Sequence, residues 1–402
     1  MEKKIRILQI APRLPFPMDD GGRIGIANIL KEFSRQGADV TFFTFKNEEF
    51  DSNYIKEAEK YCKLFFVEHS TNNTFFRIIK SFISNKSLFL TKYQSKNVFK
   101  LLKELIGKYK FDIIHADHTS MAPLAFCVSS MIKKPVGIRL HNIEWTIWKR
   151  YSETFSYIHP QRFYLESQAN LLKSAESKLI KKADVCFAIT EPDKQRALDL
   201  SPNAKIVIAS AGVNSEEWKP DRKVIRDPFQ LILATSYRWI HNVDALKWFL
   251  NKCFPLIKKS IPQASLTLIG KDPPEWLQNY IELGVNVVGY VPKVQPYLNN
   301  ASVYIAPLFV GGGIRIKILE AMSMELPVVA TPIAAEGIKS TSDTGLFIEK
   351  NSTDFAERVI YLLKNAEFTR KAGNAARKHI IQEYSWEKNV GLMLDEYRKL
   401  IK

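Results

Sequence analysis

Short apolar runs alternate with longer amphipathic stretches along the whole chain. The first half carries such runs at Ile5–Ile10, Val40–Phe45, Leu64–Val67, Ile113–His115, Val136–Leu140, Val185–Ile189 and Ile206–Ala209. The second half carries them at Leu231–Ala234, Leu266–Ile269, Val285–Tyr290, Val303–Ala306, Val328–Ala330 and Leu346–Ile348. They are strand-length and rich in β-branched or aromatic residues. Continuous apolar strands separated by helices imply parallel sheets covered on both faces. The stretch from Trp218 to Pro228 interrupts the series. It is polar, charged and bracketed by prolines, and reads as a linker within residues 215–229. The pattern predicts an α/β chain with two doubly wound domains, 1–215 and 216–385, facing a cleft with ligands at the carboxyl ends of the strands. Residues 386–402 read as a terminal amphipathic helix with Val390, Leu394, Tyr397 and Ile401 on one stripe.

Bulk properties narrow the class. A chain of 402 residues suits two domains of about 200 residues each. No stretch reaches the roughly 20 apolar residues of a membrane span. The first apolar run is too short for a signal peptide. Four scattered cysteines without a C-x-x-C pair indicate neither zinc nor a disulfide framework, so a reducing cytoplasm is the expected location. The net charge of +16 does change the picture. Nucleic acid, an anionic membrane surface or phosphorylated small molecules would each account for it. Residues 75–110 carry nine bases against the single acid Glu104, interleaved with Phe75, Phe76, Phe82, Phe89 and Phe99. That mixture suits peripheral docking on an anionic bilayer; it equally suits a solvated helical pair whose aromatics face the core. No RNA-binding or helix-turn-helix signature is present, so nucleic acid is not an expected partner.

Chemistry concentrates at three strand ends. After the apolar run Val303–Ala306, Gly311-Gly312-Gly313 precede a helix expected to begin near Ile314. Glycines let backbone N–H groups approach an anion, and a helix N-terminus favours negative charge. Arg315 and Lys317 would lie in the first turn, where the dipole disfavours cations, unless a diphosphate sits beside them. Glu320, one turn further, is placed to accept hydrogen bonds from ribose hydroxyls. The plain alternative is a tight turn with solvated cations. Near the N-terminus, Gly21-Gly22 precede a helix, either as a close backbone approach to phosphate or as a simple helix start. Asp20 occupies the first glycine position of a G-x-G-x-x-G fingerprint, so that fingerprint fails. His115, Asp117 and His118 end one strand; His141, Asn142 and Glu144 end the next. Both groups lie where ligands bind in such folds.

The block Gly311 to Met322, with Pro327-Val328-Val329-Ala330-Thr331 after it, resembles the donor site of the GT-B retaining glycosyltransferases of family GT4, the glycosyl transferases group 1. The family motif has two glutamates, the second matching Glu320, while Gly312 stands where the first is expected. Gly289-Tyr290-Val291, Gly212-Val213-Asn214, Asn242 to Leu246 and Ser385-Trp386-Glu387 extend the resemblance over nearly the whole chain. It implies two Rossmann-like domains, the first binding acceptor, the second binding a nucleotide-sugar donor, with the terminal helix crossing back onto the first. It implies donor binding by Gly21, Gly22, Arg238, Gly311, Gly312, Gly313, Ile314, Arg315, Lys317 and Glu320. His115, Asp117, His118 and His141 fall beside the reacting sugar. Transfer with retention, from a UDP- or GDP-sugar to a glycan or lipid-linked acceptor, follows as the expectation. The setting is bacterial surface polysaccharide assembly at the inner face of the membrane. No Asp-x-Asp motif occurs, so neither metal nor other cofactor is expected. A GT-B-fold sugar-nucleotide epimerase is the alternative enzyme, and a basic nucleic-acid-binding protein the distant one.

Overall fold

The computed structural model describes residues 4–18, 21–46, 51–71, 77–78, 81, 84–310, 313–341 and 343–401. The chain forms two compact units, one of residues 1–210 with 386–402, the other of residues 211–385.

The first unit is built on a seven-stranded sheet. Its strands are β1 (Arg6–Ile10), β2 (Asp39–Lys46), β3 (Lys63–Glu68), β4 (Ile113–Ala116), β5 (Val136–Leu140), β6 (Val185–Ala188) and β7 (Ile206–Ile208). Their order is β3-β2-β1-β4-β5-β6-β7, with every pairing parallel. The second unit has β8 (Gln230–Ala234), β9 (Ser265–Ile269), β10 (Val285–Gly289), β11 (Val303–Ala306), β12 (Val328–Ala330) and β13 (Leu346–Ile348). They pair in parallel in the order β10-β9-β8-β11-β12-β13. Each sheet therefore reverses direction once, between β1 and β4 and between β8 and β11. At such a switch point the loops leaving two neighbouring strands diverge to opposite faces and open a crevice.

The central strands are apolar because both faces are covered. Ile7, Leu8, Ile113, Ile114, Val136, Ile138 and Leu140 are fully buried, as are Leu231, Ile232, Val303, Ile305, Val328 and Val329. Each such side chain contributes about 1.5–3 kcal/mol relative to exposure. Three of the polar residues buried inside strands lie by the first unit's switch point: Gln9 and Arg139 bond Asp117, and His115 bonds Tyr397.

The expected linker is instead tied to the second unit. Arg222 makes a bidentate pair with Glu325 at 2.7 and 2.5 Å. Arg226 donates to the carbonyls of Met324 and Glu325 at 2.6 and 2.7 Å. These cations meet the carbonyl end of the helix Ile316–Ser323, where a positive charge is favoured. The polarity that marks the segment as a linker in sequence is what anchors it.

The helix Trp386–Leu400 packs in the first unit. Tyr397 on it is fully buried, and its hydroxyl lies 2.6 Å from Nδ1 of His115. Gly137 of β5 leaves room for that ring: an added Cβ would overlap the Tyr397 hydroxyl and two ring carbons. Because the ring is locked between Phe33, His115 and Phe187, it has nowhere to move. Gly137→Ala is expected to destabilise the protein by about 1–3 kcal/mol, the range for overpacking a filled core. Calorimetric unfolding measures this, and an unchanged midpoint would mean that Tyr397 does not sit against β5.

Candidate functional site

In the first unit, the chain leaves β4 at Asp117 and β5 at His141. Asp117 has no exposed side-chain surface. Its Oδ2 accepts from Gln9 Nε2 at 2.7 Å, and its backbone N–H donates to Ile10 at 2.9 Å. Its Oδ1 lies 3.3 Å from Arg139 and 3.3 Å from His141 Nε2. Burial pushes the carboxyl up, but the imidazoles of His115 and His141 and the Arg139 charge outweigh it and hold the group well below its usual range. Arg139 is 2% exposed, a charge in the middle of an apolar strand. Burial pulls its pKa down while Asp117 acts to raise it. Its guanidinium lies over the Trp386 ring at 5.8 Å. Gly25 of the helix Gly21–Arg35 makes space for it, since a Cβ there would sit 2.9 Å from a guanidinium nitrogen.

The two solvent-reaching histidines are each held by fixed partners. His141 Nε2 lies between a donor and an acceptor, Arg139 Nη1 at 3.0 Å and Asp117 Oδ1 at 3.3 Å. Burial first, and then the Arg139 charge, lower the His141 pKa to about 3, so the ring is neutral at pH 7. The Ser120 backbone N–H donates to His118 Nδ1 at 3.2 Å, leaving the proton on Nε2, which faces Glu144 Oε1 at 3.4 Å. The two rings meet edge to face at 5.0 Å.

The four strand-end carry-overs from sequence therefore divide by depth. His118 and His141 keep side-chain exposures of 18% and 12% and can meet a ligand. His115 is corrected to a core residue: it has no exposed surface and is engaged by Tyr397 from below. Asp117 is likewise corrected from a reacting group to a buried orienting one, because its oxygens are enclosed by Gln9, Arg139 and His141. Gly21 and Gly22 are the first two residues of the helix Gly21–Arg35, with open space where a Cβ on Gly21 would point.

In the second unit, Gly313 has φ of +74°, a value glycine adopts without strain. Gly311 and Gly312 lie outside the described residues. The helix starts at Ile316 rather than near Ile314, because Arg315 has extended backbone angles (φ −83°, ψ 94°) and occupies the capping position. Ile314 packs on the apolar core. Lys317, in the first turn, is half exposed, with Nζ 3.4 Å from Glu320 Oε2. Glu320 is 6% exposed; burial raises its pKa and Lys317 opposes that shift. Arg315 is partly buried, and burial lowers its pKa while Glu336 acts to raise it. The Arg315 charge and burial both depress His241, which follows β8. Arg238, in the same β8 loop, is exposed. The carboxyl ends of β8 and β11 thus carry Arg238, His241, Arg315, Lys317 and a nearly buried Glu320.

Sequence reading did not pick out Gln9, Arg139 or Glu176, and it placed Tyr397 only on the apolar stripe of the terminal helix. Only Arg139 carried a legible signal, a lone charge within an otherwise apolar strand, which requires a buried partner.

Two doubly wound parallel units, each with one switch point, with a glycine-loop helix start carrying cations in one and strand-end imidazoles in the other, define a GT-B glycosyltransferase. Residues 20–217 match the model of Glycosyltransferase Family 4, and residues 230–365 match that of Glycosyl transferases group 1. The chain belongs to this family. It is 22% identical, over 95% of its length and 97% of the other's, to an uncharacterized 44.6 kDa protein in the cps region of Klebsiella pneumoniae. Among solved structures, sucrose-phosphate synthase from Thermosynechococcus elongatus superposes with a TM-score of 0.69 at 17% identity, covering 99% of each chain. HepE of Anabaena, in complex with UDP and glucose, does so with a TM-score of 0.66 at 14% identity, covering 98% of this chain and all of the other. These structural likenesses show the shared fold.

Glu176, on the helix Pro160–Lys182, is fully buried and burial lifts its pKa to about 8. An acid raised above its unfolded value contributes stability that is complete below about 4.5 and is lost as pH rises through 8. His141 acts with the opposite sign, but only below its unfolded value of 6.5. Between pH 7 and 8.5 the wild type is therefore expected to lose stability that a Glu176→Gln variant does not. Denaturant midpoints of both proteins across that interval check this; parallel curves would contradict it.

Proposed function

We propose that the protein transfers a sugar, with retention of anomeric configuration, from a nucleoside-diphosphate donor to a glycan or lipid-linked acceptor. The second unit binds the donor and the first presents the acceptor. The observation that carries this reading is the buried Glu320 one turn inside a helix whose start bears Arg315 and Lys317. A carboxylate there suits ribose hydroxyls, and the cations with the glycine loop suit a diphosphate. A UDP-sugar is the first donor to test, because HepE is in complex with UDP and glucose. The place of one relative in a cps region supports a role in polysaccharide assembly.

In the reaction, the acceptor oxygen bonds to the anomeric carbon on the face from which the diphosphate departs. The bond from that carbon to the β-phosphate oxygen breaks, and its electron pair stays on the diphosphate. The acceptor proton passes to the leaving phosphate. Arg238, Arg315 and Lys317 stabilise the charge that develops there, taking the place of a divalent metal. The neutral His141 can hydrogen-bond a substrate group without adding charge.

Thermal unfolding with UDP, GDP, ADP, TDP and CMP tests the donor site. One nucleoside diphosphate at 100 times its dissociation constant is expected to add about 2.7 kcal/mol, and Glu320→Ala to abolish the effect. Transfer should persist in EDTA. No stabilisation by any nucleotide would overturn the reading.

The described part of the basic stretch bears on location. Lys96, Lys100, Lys103 and Lys108 are exposed on the helix Lys96–Lys108, whereas Phe99 packs on the core. Phe75, Phe76 and Phe82 lie outside the described residues. No described helix is long and apolar enough to cross a membrane. Attraction to the inner leaflet then rests on charge, so the protein is expected to sediment with phosphatidylglycerol vesicles at low salt and to be released as salt rises. Indifference to anionic vesicles would remove the membrane location.

A further inference from the structure

Beside the imidazole pair of the first unit lies a second carboxylate arrangement. Glu144 is the first residue of the helix Glu144–Ser152, and its Oε1 is 3.4 Å from His118 Nε2. The start of that helix is fixed by Glu176, which reaches across from the helix Pro160–Lys182. Its two oxygens accept from the backbone N–H groups of Glu144 and Trp145 at 3.0 and 2.9 Å. Those are two of the helix's orphan donors, so Glu176 serves as a cap supplied from another element. The two carboxyls differ in environment. Glu176 has no exposure, whereas the Glu144 side chain keeps 9% and reaches the surface at the helix's positive end. Burial raises the Glu176 pKa to about 8, so no second anion lies beneath Glu144 at neutral pH. Phe89 flanks the pair, with its ring 5.5 Å from His118 and 6.4 Å from Trp148. Lys92 lies over Phe89 at 6.0 Å, and its charge and that of Glu144 are within electrostatic reach.

We propose that Glu144 and His118, bordered by Phe89 and Trp148, form the subsite that binds a sugar ring of the acceptor, with Glu176 as the positioning residue that holds Glu144 in place. The chemistry is that of carbohydrate recognition. A carboxylate accepts from ring hydroxyls, an imidazole beside it completes the polar contact, and aromatic edges cover the apolar face of the ring. Glu144 acts as an acceptor of hydrogen bonds and takes no proton in the transfer. This inference rests on the glycosyltransferase reading above, and it deepens that reading by naming the acceptor contact.

The test uses the full chain. Saturation-transfer NMR is recorded with methyl α-D-glucopyranoside, methyl α-D-galactopyranoside and methyl N-acetyl-α-D-glucosaminide as probes. At least one is expected to receive saturation from aromatic protons. Glu144→Gln should weaken that binding about tenfold or more, the effect of losing a hydrogen bond to a charged group. In parallel, 15N-imidazole spectra report His118 directly. The ring is expected as the Nε2–H tautomer, with its Nε2 resonance shifted in Glu144→Gln as the facing carboxylate is lost. His141 and Lys92, the other charged or titratable neighbours, are unchanged in that comparison. Glu176→Ala should reproduce part of both effects, and Glu176→Gln, which retains one acceptor oxygen, should recover part of the loss. Nucleotide stabilisation should survive in all three variants. If it survives but Glu144→Gln changes neither the glycoside signal nor the His118 Nε2 resonance, or if wild type binds none of the probes, this inference falls while the donor reading stands. If wild type shows no nucleotide stabilisation, the donor reading itself has failed.

Discussion

The first unit is organised around one buried ion pair, Arg139 with Asp117. Both side chains are enclosed, and leaving either without the other would cost about 3–5 kcal/mol. Every element near the switch point makes an accommodation to that pair. β1 contributes Gln9 to the carboxylate, and β4 and β5 supply the two charges. The helix Gly21–Arg35 gives up a side chain at Gly25, and the terminal helix lays Trp386 over the guanidinium. The pair fixes more than register. Both members also contact His141 Nε2, the guanidinium at 3.0 Å and the carboxylate at 3.3 Å. A charge pair hidden from solvent thus holds a ring that is not.

The second unit meets the same electrostatic problem from the other side. Its helix Ile316–Ser323 has its carbonyl end surrounded by cations: Arg226 on Met324 and Glu325, and Arg377 on Ser323 at 2.6 Å. That end is satisfied within the fold. The amino end instead carries, against the dipole, Arg315 within electrostatic reach of Glu336 and Lys317 paired with Glu320. Cations placed where the dipole disfavours them support the proposal that this end meets an anion.

All thirteen strands were legible in the sequence because each is a short apolar run between amphipathic helices, and a strand buried on both faces has no other way to be written. The same reading misplaced the start of the donor helix by two residues, since Ile314 and Ile316 are equally apolar and only backbone angles separate a capping Arg315 from a helical one. His115 and His118 look alike in sequence, three positions apart. In the structure one points into the sheet toward Tyr397, and the other leaves it toward Glu144. Tyr397 is 282 residues from His115, a distance over which no local pattern signals contact. Glu176 was invisible for a related reason: in sequence it is one of two acids on a mostly basic helix, and only tertiary packing turns it toward two backbone amides.

The two units thereby treat charge in contrary ways, and this contrast supports assigning them different substrates. In the first, the strong charges are paired beneath the surface, and what reaches solvent is a neutral imidazole, a second imidazole and one carboxylate, all suited to hydroxyl groups. In the second, the cations Arg238 and Lys317 reach the surface, which suits phosphate. A catalyst that binds a dianionic leaving group and a neutral nucleophile needs this asymmetry. Cations spread over both sites would hold the diphosphate equally well in either, and the acceptor hydroxyl would have to compete for its own place.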